Sequence, residues 1–541
     1  MKNKLRTKQR RNSGGGLNRV AAKSFSRRTF LKGALATAPL LLVGSSLLRP
    51  KVARAAQTFG PSTTTETYLV PSLPGVDITS ILTTGDAIGG YRMVGIPDGL
   101  GTVPNGDGTF TLMMNHELGG TSGIVRGHGS RGAFVSRWTI DAKTLQVLNG
   151  EDFSKSPNDV FSWDPLTGQY LPGTTLWQRF CSGDLAKPGA FFFNGKGTQD
   201  RIYLNGEETT TTVNNVVVDQ GRPWARIVTG PHTGETWQLP RLGRMAYENA
   251  VASPFPQDKT IVMLTDDSAQ STAAVINNNV PSEVYCYIGM KQTQGHPIEQ
   301  AGLTNGNLYG IKVSNVTEES NDFGLGTAQS GFIGKARFSL QNLGDVSGLN
   351  NAVQLEGMSI DAGITRFQRP EDGAWDPREE HSNDYYFVTT ASPTANARLW
   401  RLRFSDITRP EKGGSIEILL KGDEGHLMVD NVTIDRHGRI LLDEDPGNLN
   451  RVSKIWLYQI DTGQFIEVAR HNPKFFDPSI PNNPFFITQD EESSGIIDAE
   501  DILGRGWFLL DVQSHRLSAD TELVEGGQLL ALFVDPAIGA A

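Results

Sequence analysis

The chain has 541 residues, with 60 glycines and 28 prolines, and a formal charge of −9. The first 55 residues carry 14 Lys and Arg and no acid, so the remainder holds 36 basic residues against 59 acidic ones, a charge of −23. Such a surface repels nucleic acid and anionic membranes, which excludes both as expected partners.

Residues 1–55 are predicted to form a twin-arginine signal peptide. Residues 26–32 (SRRTFLK) carry paired arginines before Phe-Leu, an apolar run follows at 33–48, and Ala53-Arg54-Ala55 offers small residues for cleavage. The apolar run is shorter than the roughly 20 residues that span a bilayer. We therefore expect a periplasmic or extracellular protein that meets the twin-arginine translocase during export and has no membrane attachment after cleavage.

Residues 56–541 are predicted to form one all-β domain. Gly and Pro are frequent enough for many turns, and no long segment shows apolar residues at helical spacing. Several predicted strands end in acids or histidine: residues 109–118 end after His116 and Glu117, residues 201–208 in Glu207 and Glu208, and residues 506–515 in His515.

Three predicted hairpins begin with an acid that is followed by Asn or Gly. Residues 247–253 contain Glu248 and lead to Asp267, residues 355–361 contain Glu356, and residues 430–445 run from Asp430 to Glu444 and Asp445. Carboxylates at the same end of repeated hairpins converge when the hairpins are arranged radially, as in a β-propeller. About six units are predicted, and the sequence does not distinguish six from seven. Ordinary turn acids are the alternative for each one.

The two cysteines lie in different settings. Cys286 belongs to a predicted strand, residues 282–291, where a buried small hydrophobic residue is expected. Cys181 lies in the turn-rich WQRFCSGD, residues 177–184, beside Arg179, where a metal could hold its thiolate. A disulfide between the two cysteines is the alternative in an oxidising compartment.

Carboxylates, one thiol and histidines at the open ends of different sheets predict a site for several metal ions. Calcium prefers carboxylate and carbonyl oxygens, whereas a thiolate among carboxylates favours a transition metal such as iron. The chain contains no HExxH, CxxC, GxSxG or P-loop motif. The residues alone therefore predict an exported, acidic propeller with a metal centre.

An ordered set of short motifs resembles the PhoX-type alkaline phosphatases and covers most of the mature chain. The motifs are NHEL at Asn115, Cys181 after a Trp, ENAVAS at Glu248, EGMSID at Glu356, PEDGAWDP at Pro370, DNVTID at Asp430 and FLLDVQSH ending at His515. The resemblance implies a six-bladed propeller with calcium and iron at its axis, hydrolysing phosphomonoesters outside the cytoplasm. It places Cys181 at a thiolate that bridges two irons, and Glu248, Glu356 and Asp430 at carboxylate ligands.

At one point the chain departs from this family pattern. Members carry paired glutamates after the cysteine, whereas Ser182, Gly183 and Asp184 follow Cys181 here. A second iron would then need Asp184, or the pair Glu207 and Glu208, as replacement ligands.

The expected function is a monomeric, metal-dependent phosphatase for small phosphomonoesters, with calcium and iron as cofactors. Arg179 and Arg244 are predicted to bind phosphoryl oxygens, because a guanidinium matches two oxygens at once, and His515 is predicted to act as an acid. A calcium-dependent propeller lactonase or esterase and a non-catalytic binding propeller are the alternatives. The predicted metal ligands are Glu117, Cys181, Glu207, Glu208, Glu248, Asp267, Glu356, Asp430 and Glu444.

Overall fold

The computed structural model describes residues 60–540 except 214–215, 268–280, 321–333 and 391. Within these residues the strands form five large sheets and three two-stranded ones, and the ten-stranded sheet contains two blades joined through their outer strands. The inner strand of each blade lies beside the inner strands of its two neighbours. The six inner strands thus close a ring around one axis. The prediction of an all-β propeller is confirmed, and the described residues form six blades. The predicted leader, residues 1–55, lies outside the described residues.

Blades 1 to 3, numbered along the chain, each begin at the axis and run outward through four antiparallel strands, and the extension of blade 2 joins its fourth strand in parallel. Blade 1 consists of Pro97–Pro104, Thr109–His116, Phe134–Asp141 and Val147–Asp152. Blade 2 consists of Gly183–Leu185, Ile202–Gly206, Pro223–Ile227 and Thr236–Gln238, extended by Val160–Asp164 and Gln169–Pro172. Blade 3 consists of Tyr247–Ala252, Lys259–Asp266, Pro281–Met290 and Asn307–Val313, extended by Lys335–Gly344.

Blades 4 to 6 complete the ring, and blade 6 combines strands from both ends of the described chain. Blade 4 consists of Pro370–Trp375, Asp384–Thr389, Arg398–Phe404 and Gly414–Leu420. Blade 5 consists of Val429–Ile434, Arg439–Glu444, Lys454–Gln459 and Phe465–His471, extended by Leu69–Pro71. Blade 6 consists of Glu491–Asp498, Trp507–Ser514, Gly526–Val534 and the early strand Val76–Thr83.

Short elements connect the blades. The additional strands are Ala87–Ile88, Tyr91–Arg92, Phe192–Phe193, Lys196–Gly197, Thr210–Val213, Val216–Gln220 and Arg366–Gln368. The α-helices are Pro297–Gln300, Ala352–Ala362, Pro473–Phe476 and Glu500–Leu503, and the 3-10 helices are Pro157–Asp159, Pro188–Ala190, Pro240–Leu242, Glu379–His381 and Pro410–Lys412. A helix with the length and apolarity needed to cross a bilayer does not occur among the described residues.

The hydrophobic core consists of separate layers between neighbouring blades. On the second strand of blade 3, Val262 and Leu264 pack toward blade 2, whereas Ile261 and Met263 pack toward blade 4. Successive side chains of a strand point to opposite faces, so each blade needs apolar residues on both faces. This explains why the chain shows continuous apolar runs such as IVML at residues 261–264, and why the blades stay together.

The predicted hairpin at residues 355–361 is wrong, because this segment is part of the helix Ala352–Ala362. The Asn351 side chain caps the helix by accepting from the Gln354 N–H, and Gly363 ends it with a left-handed backbone at φ 63°. Leu355 and Ser359, one turn apart, are both buried. The caps at both ends stabilise a helix, although the short apolar pattern between them resembles that of a strand.

Candidate metal centre

Each blade brings one potential metal ligand to the same end of the propeller axis. In five blades it is the second residue of the inner strand, and in blade 2 it is a cysteine two residues ahead of the strand. In blade order these residues are Asp98, Cys181, Glu248, Glu371, Asp430 and Glu492. All six are buried. The radial repeat therefore places one ligand per blade around the axis.

A second set of acids follows the end of the second strand in several blades. Antiparallel pairing sets the start of an inner strand opposite the end of the second strand, as Pro97 opposite His116 and Tyr247 opposite Asp266 show. The acids just beyond these ends are Glu117, Glu208, Asp267 and Asp445. They lie at the same end of the axis as the inner-strand ligands.

The ligand atoms of nine of these residues form a continuous series of four overlapping groups. Within each group the potential ligand atoms all lie within 4.8 Å of one another. The groups are Asp98, Glu117 and Cys181; Cys181, Glu208 and Glu248; Glu248, Glu371 and Asp430; and Asp430, Asp445 and Glu492. These nine residues are named the axial cluster, and their spacing suits several cations bound side by side.

Irregular backbone directs the ligands toward the axis. The pairing of the inner strand shifts register next to Asp98, Glu248, Glu371 and Asp430. Bulges of this kind turn a side chain out of the regular alternation and are common at functional sites. In four blades, moreover, the residue two positions ahead of the ligand has a left-handed backbone: Ile96, Arg179, Arg369 and Met428, with φ between 39° and 53°.

The residue after each ligand ties neighbouring blades together. Asn249 Nδ2 donates to Asp372 Oδ1 at 2.6 Å, and the Val432 N–H donates to Asp372 Oδ2 at 3.1 Å. The Gly495 N–H donates to Asn431 Oδ1 at 2.7 Å. These hydrogen bonds link blades 3 to 6 directly beneath the ligands, so the ligand positions are fixed before any ion binds.

Cys181 occupies the junction between two of the groups. Its Sγ lies 3.4 Å from Asp98 Oδ2, to which the thiol donates, and its carbonyl accepts from Asn115 Nδ2 at 2.5 Å. Burial, followed by the nearby Asp98 and Glu248, raises the pKa of the thiol well above its usual range. A thiolate at this position therefore needs a bound cation. Both cysteines are free, so the alternative of a disulfide is wrong.

Three cationic side chains border the axial cluster, and they are named the rim cations. Arg179 Nη2 contacts Glu117 Oε1 at 2.7 Å and Glu208 Oε2 at 2.6 Å. Arg369 pairs with Asp267 through Nε and Nη2 at 2.8 and 2.9 Å, and its Nη2 also lies 3.1 Å from Glu371 Oε1.

The third rim cation, His515, lies between two acids. Its Nδ1 is 2.8 Å from Glu525 Oε2, and its Nε2 is 3.6 Å from Glu492 Oε2. Burial alone would lower the pKa of His515, but the hydrogen bonds to Glu492 and Glu525 outweigh it and raise the pKa to about 11. His515 is thus protonated at neutral pH.

Most of the axial carboxyls have a raised pKa when no cation neutralises them. Burial is the largest cause, and neighbouring carboxylates raise the pKa further. The pKa of Glu208 and of Asp445 rises to about 8, and those of Asp98, Glu248 and Asp430 rise well above their usual range. Asp430 Oδ1 is buried without a hydrogen-bond partner in the described part of the chain. Cations would displace these protons and use the free oxygens.

Several predicted site residues lie together at this end of the axis. Glu117, Cys181, Glu208, Glu248 and Asp430 belong to the axial cluster. Asp267 lies beside it as the partner of Arg369, and Arg179 and His515 are rim cations. Glu208, rather than Asp184, joins Cys181 and Glu248 in one group. Asp184 instead lines a separate cavity of about 380 Å³.

The other predicted residues do not belong to the axial cluster. Glu207 forms a two-point ion pair with Arg222, and Glu444 accepts from Trp456 Nε1 at 2.9 Å and the Leu427 N–H at 2.9 Å. Arg244 is buried ahead of the inner strand of blade 3, close to Tyr247. The sequence does not distinguish charged residues at strand ends that face the axis from those that face elsewhere. The pairing of the strands in the structure shows the difference.

Two further candidates have structural roles. Glu356 lies on the helix Ala352–Ala362 beside Glu283, and burial raises the pKa of both carboxyls. His116 is fully buried, with Nε2 2.9 Å from Ser136 Oγ, and burial lowers its pKa to about 3. Neither residue belongs to the axial cluster.

Sequence reasoning missed Asp98, Glu371, Asp445, Glu492 and Arg369. A local pattern could have identified the inner-strand acids Asp98 and Glu371. Each is followed by a small or polar residue, Gly99 and Asp372, as Glu248 is followed by Asn249. The prediction instead chose Glu356-Gly357, which has the same local pattern, as the start of a hairpin.

Comparisons with known proteins agree with the fold. No protein-family profile matches the chain, and no curated protein sequence matches it. Pseudomonas fluorescens PhoX in complex with vanadate, a transition state analogue, is similar in structure with a TM-score of 0.59, 11% identity, and coverage of 87% of this chain and 98% of that chain. The NanB sialidase from Streptococcus pneumoniae covers 83% of this chain and 69% of its own at 8% identity, with a TM-score of only 0.37. The chain therefore shares the propeller fold of PhoX.

Proposed function

We propose that the mature protein is a metal-dependent phosphomonoesterase, loaded with calcium and containing iron at Cys181. The observation that carries the proposal is one buried ligand from each of the six blades, meeting beside Arg179 and Arg369. Several cations bordered by guanidinium groups suit a substrate with multiple anionic oxygens. The shared fold with PhoX supports the same reaction class.

The donor atoms fit this set of metals. The carboxylate oxygens of the axial cluster are hard ligands that calcium prefers. The Cys181 sulfur, shared by two of the groups, favours a softer transition metal, and iron accepts both thiolate and carboxylate. When bound, the ions would neutralise charge on the phosphoryl group and activate a water-derived nucleophile.

The protein's own residues would bind and orient the substrate. Arg179 is 48% exposed and Arg369 29% exposed at the side chain, so both reach solvent at the mouth of the axial cluster. Each is already oriented by carboxylates, which leaves the guanidinium plane fixed toward the axis. His515 carries a proton on Nε2 that it could give to the leaving oxygen.

The test is to measure metals and activity on the same preparation. Elemental analysis of the mature protein should give calcium together with iron, and the protein should hydrolyse p-nitrophenyl phosphate with inhibition by vanadate. Calcium without iron, together with hydrolysis of a lactone, would favour the lactonase alternative. A preparation with full metal content that hydrolyses neither substrate would favour the alternative of a non-catalytic binding propeller.

Export by the twin-arginine route is a separate part of the proposal. Arg27 and Arg28 lie outside the described residues, and the paired guanidinium groups are what the export receptor reads. Replacing both by Lys should leave the precursor in the cytoplasm, while a control with Arg10 and Arg11 replaced by Lys should be exported. Normal export of the Arg27→Lys, Arg28→Lys double variant would contradict the twin-arginine assignment.

A further inference from the structure

We propose a second metal site, for a zinc-type transition metal, at His232, Glu235 and His296. These three residues are named the interblade site, and they are separate from the axial cluster. Their potential ligand atoms lie within 4.8 Å of one another. Two imidazole nitrogens and one carboxylate oxygen are a common zinc ligand set, with the fourth position left for water.

The site joins two blades through two rigid turns. His232 and Glu235 belong to the tight turn ahead of the blade 2 strand Thr236–Gln238, in which the Glu235 N–H donates to the His232 carbonyl at 3.1 Å. His296 precedes the helix Pro297–Gln300, which connects two strands of blade 3. The His296 N–H donates to Glu299 Oε2 at 2.8 Å, which fixes its backbone.

The distances need little change to accept an ion. His232 Nδ1 lies 2.8 Å from Glu235 Oε1, and His296 Nε2 lies 2.8 Å from Glu235 Oε2. Zinc binds such atoms at about 2.0–2.2 Å, which separates neighbouring ligands by a little more than 3 Å. A side-chain rotation within one rotamer well would open that space.

A supporting residue holds the carboxylate in place. Trp237 Nε1 donates to Glu235 Oε2 at 2.8 Å, and the Trp237 ring lies 4.4 Å from the His296 ring, centroid to centroid. Metal ligands are usually oriented by such outer partners. The His232 side chain is 42% exposed, which gives an ion a way in from solvent.

The chemistry of the interblade site differs from that of the axial cluster. It offers two nitrogens and one oxygen and no sulfur, whereas the axial cluster offers nine ligands dominated by oxygen. Calcium should therefore bind weakly at the interblade site, and zinc should bind there more tightly than calcium. An ion there would cross-link blades 2 and 3 and stabilise the ring without taking part in the reaction.

The experiment titrates zinc into the mature protein after its axial cluster has been filled with both calcium and iron, so that Cys181 is already occupied. We expect one equivalent of zinc to bind by calorimetry, with a rise in melting temperature, and both to be lost in His232→Ala and in His296→Ala. Cobalt in place of zinc should show the visible absorption of a four-coordinate, nitrogen-ligated ion. Trp237→Phe should weaken zinc binding about tenfold, because the supporting hydrogen bond is gone.

The matched control is His381→Ala, since His381 also pairs with a nearby acid, Asp384, at 3.7 Å, but belongs to no group of three potential ligands in the described part of the chain. This variant should bind zinc as the parent does. Zinc binding that is absent from the parent, or unchanged in both His232→Ala and His296→Ala, would overturn the proposal. In that case Glu235 merely links two imidazoles by hydrogen bonds.

Discussion

At the scale of single residues, the chain assigns different roles to chemically similar groups through their neighbours. Cys181 and Cys286 are both buried, yet Cys181 is surrounded by the carboxyls of Asp98, Glu248 and Glu208, while Cys286 packs among apolar side chains between blades 3 and 4. The same contrast separates Arg369, which borders the axial cluster, from Arg378, which pairs with Asp376 elsewhere in blade 4.

The cysteines give the first prediction. Cys181→Ser replaces a potential soft anionic ligand by a neutral hard one, so iron content, any thiolate-to-iron absorption and phosphomonoesterase activity should be lost while calcium is largely retained. Elemental analysis and visible absorption measure this. Cys286→Ser is the control, and it should cost about 1 kcal/mol of stability and leave the metals in place. A Cys181→Ser protein with its full iron and activity would remove the proposed role of the thiolate.

Arg369 gives the second prediction. Arg369→Lys keeps the positive charge but loses the two-point geometry, so kcat/KM for p-nitrophenyl phosphate should fall roughly 100-fold if the guanidinium stabilises the transition state. Arg378→Lys is matched to it, because Arg378 also makes a two-point pair, with Asp376, and lies away from the axis. Equal activity in the two variants would argue against Arg369 as a substrate ligand.

At the scale of elements, a bulged inner strand delivers the ligand and a regular second strand supports it. The repeat is strict enough that the second residue of the inner strand is acidic in blades 1, 3, 4, 5 and 6. Glu356 lies on the helix Ala352–Ala362 beside Glu283, outside the inner strands. Glu371, the second residue of the blade 4 inner strand, therefore represents that blade in the axial cluster.

The third prediction compares these two glutamates directly. Glu371→Gln removes one charge from a group of three ligands, so the metal content should fall and activity should be lost. Glu356→Gln changes a helix residue beside Glu283 and should leave metals and activity unchanged, because an amide can keep the hydrogen bond to the Glu283 carboxyl. Elemental analysis of both variants shows which of the two glutamates binds metal. Metal loss in Glu356→Gln alone would restore the original assignment from the sequence.

Local patterns could predict the strand-rich class and the hairpins at Glu248 and Asp430, because these depend on alternation and turn residues close together in the chain. The position of Cys181 among the axial ligands is implied by the family resemblance. Local patterns could not predict which strand completes which blade. Val76–Thr83 pairs with Gly526–Val534 across most of the chain, and nothing local in either segment encodes that register. The axial position of Glu208 rather than Glu207 follows from the same long-range pairing.

At the scale of the whole molecule, the ring closes by combining both ends of the described chain in blade 6. The closure sets each inner strand between the inner strands of two neighbouring blades and so brings the six ligands together around the axis. As a result, nine potential ligands, eight of them carboxyls, lie close together at one end of the axis, where ionised carboxylates repel one another. Their repulsion must be relieved either by protons or by cations, and this couples the stability of the whole ring to pH and to metal.

The fourth prediction follows from that coupling. The pKa of Glu208 and of Asp445 rises to about 8 in the folded, metal-free protein, against roughly 4 in the unfolded chain. Between these values the folded state binds more protons than the unfolded state, so the free energy of unfolding falls as pH rises from about 4 to about 8. The melting temperature of the chelator-treated protein should therefore drop by several degrees between pH 5 and pH 8.

Calcium should remove this pH dependence, because bound ions take the place of the protons and favour the ionised carboxylates. Glu208→Gln deletes one of the titrating groups, so the metal-free variant should lose stability less steeply with pH than the parent. Asp406→Asn is the control, since Asp406 lies outside the axial cluster, and hydrogen bonds from Thr408 and Arg409 lower its pKa to about 2, so that it does not titrate in this window. A melting temperature that is the same from pH 5 to pH 8 after verified metal removal would mean that the axial carboxyls do not share their charge, and the metal centre would lose its physical basis.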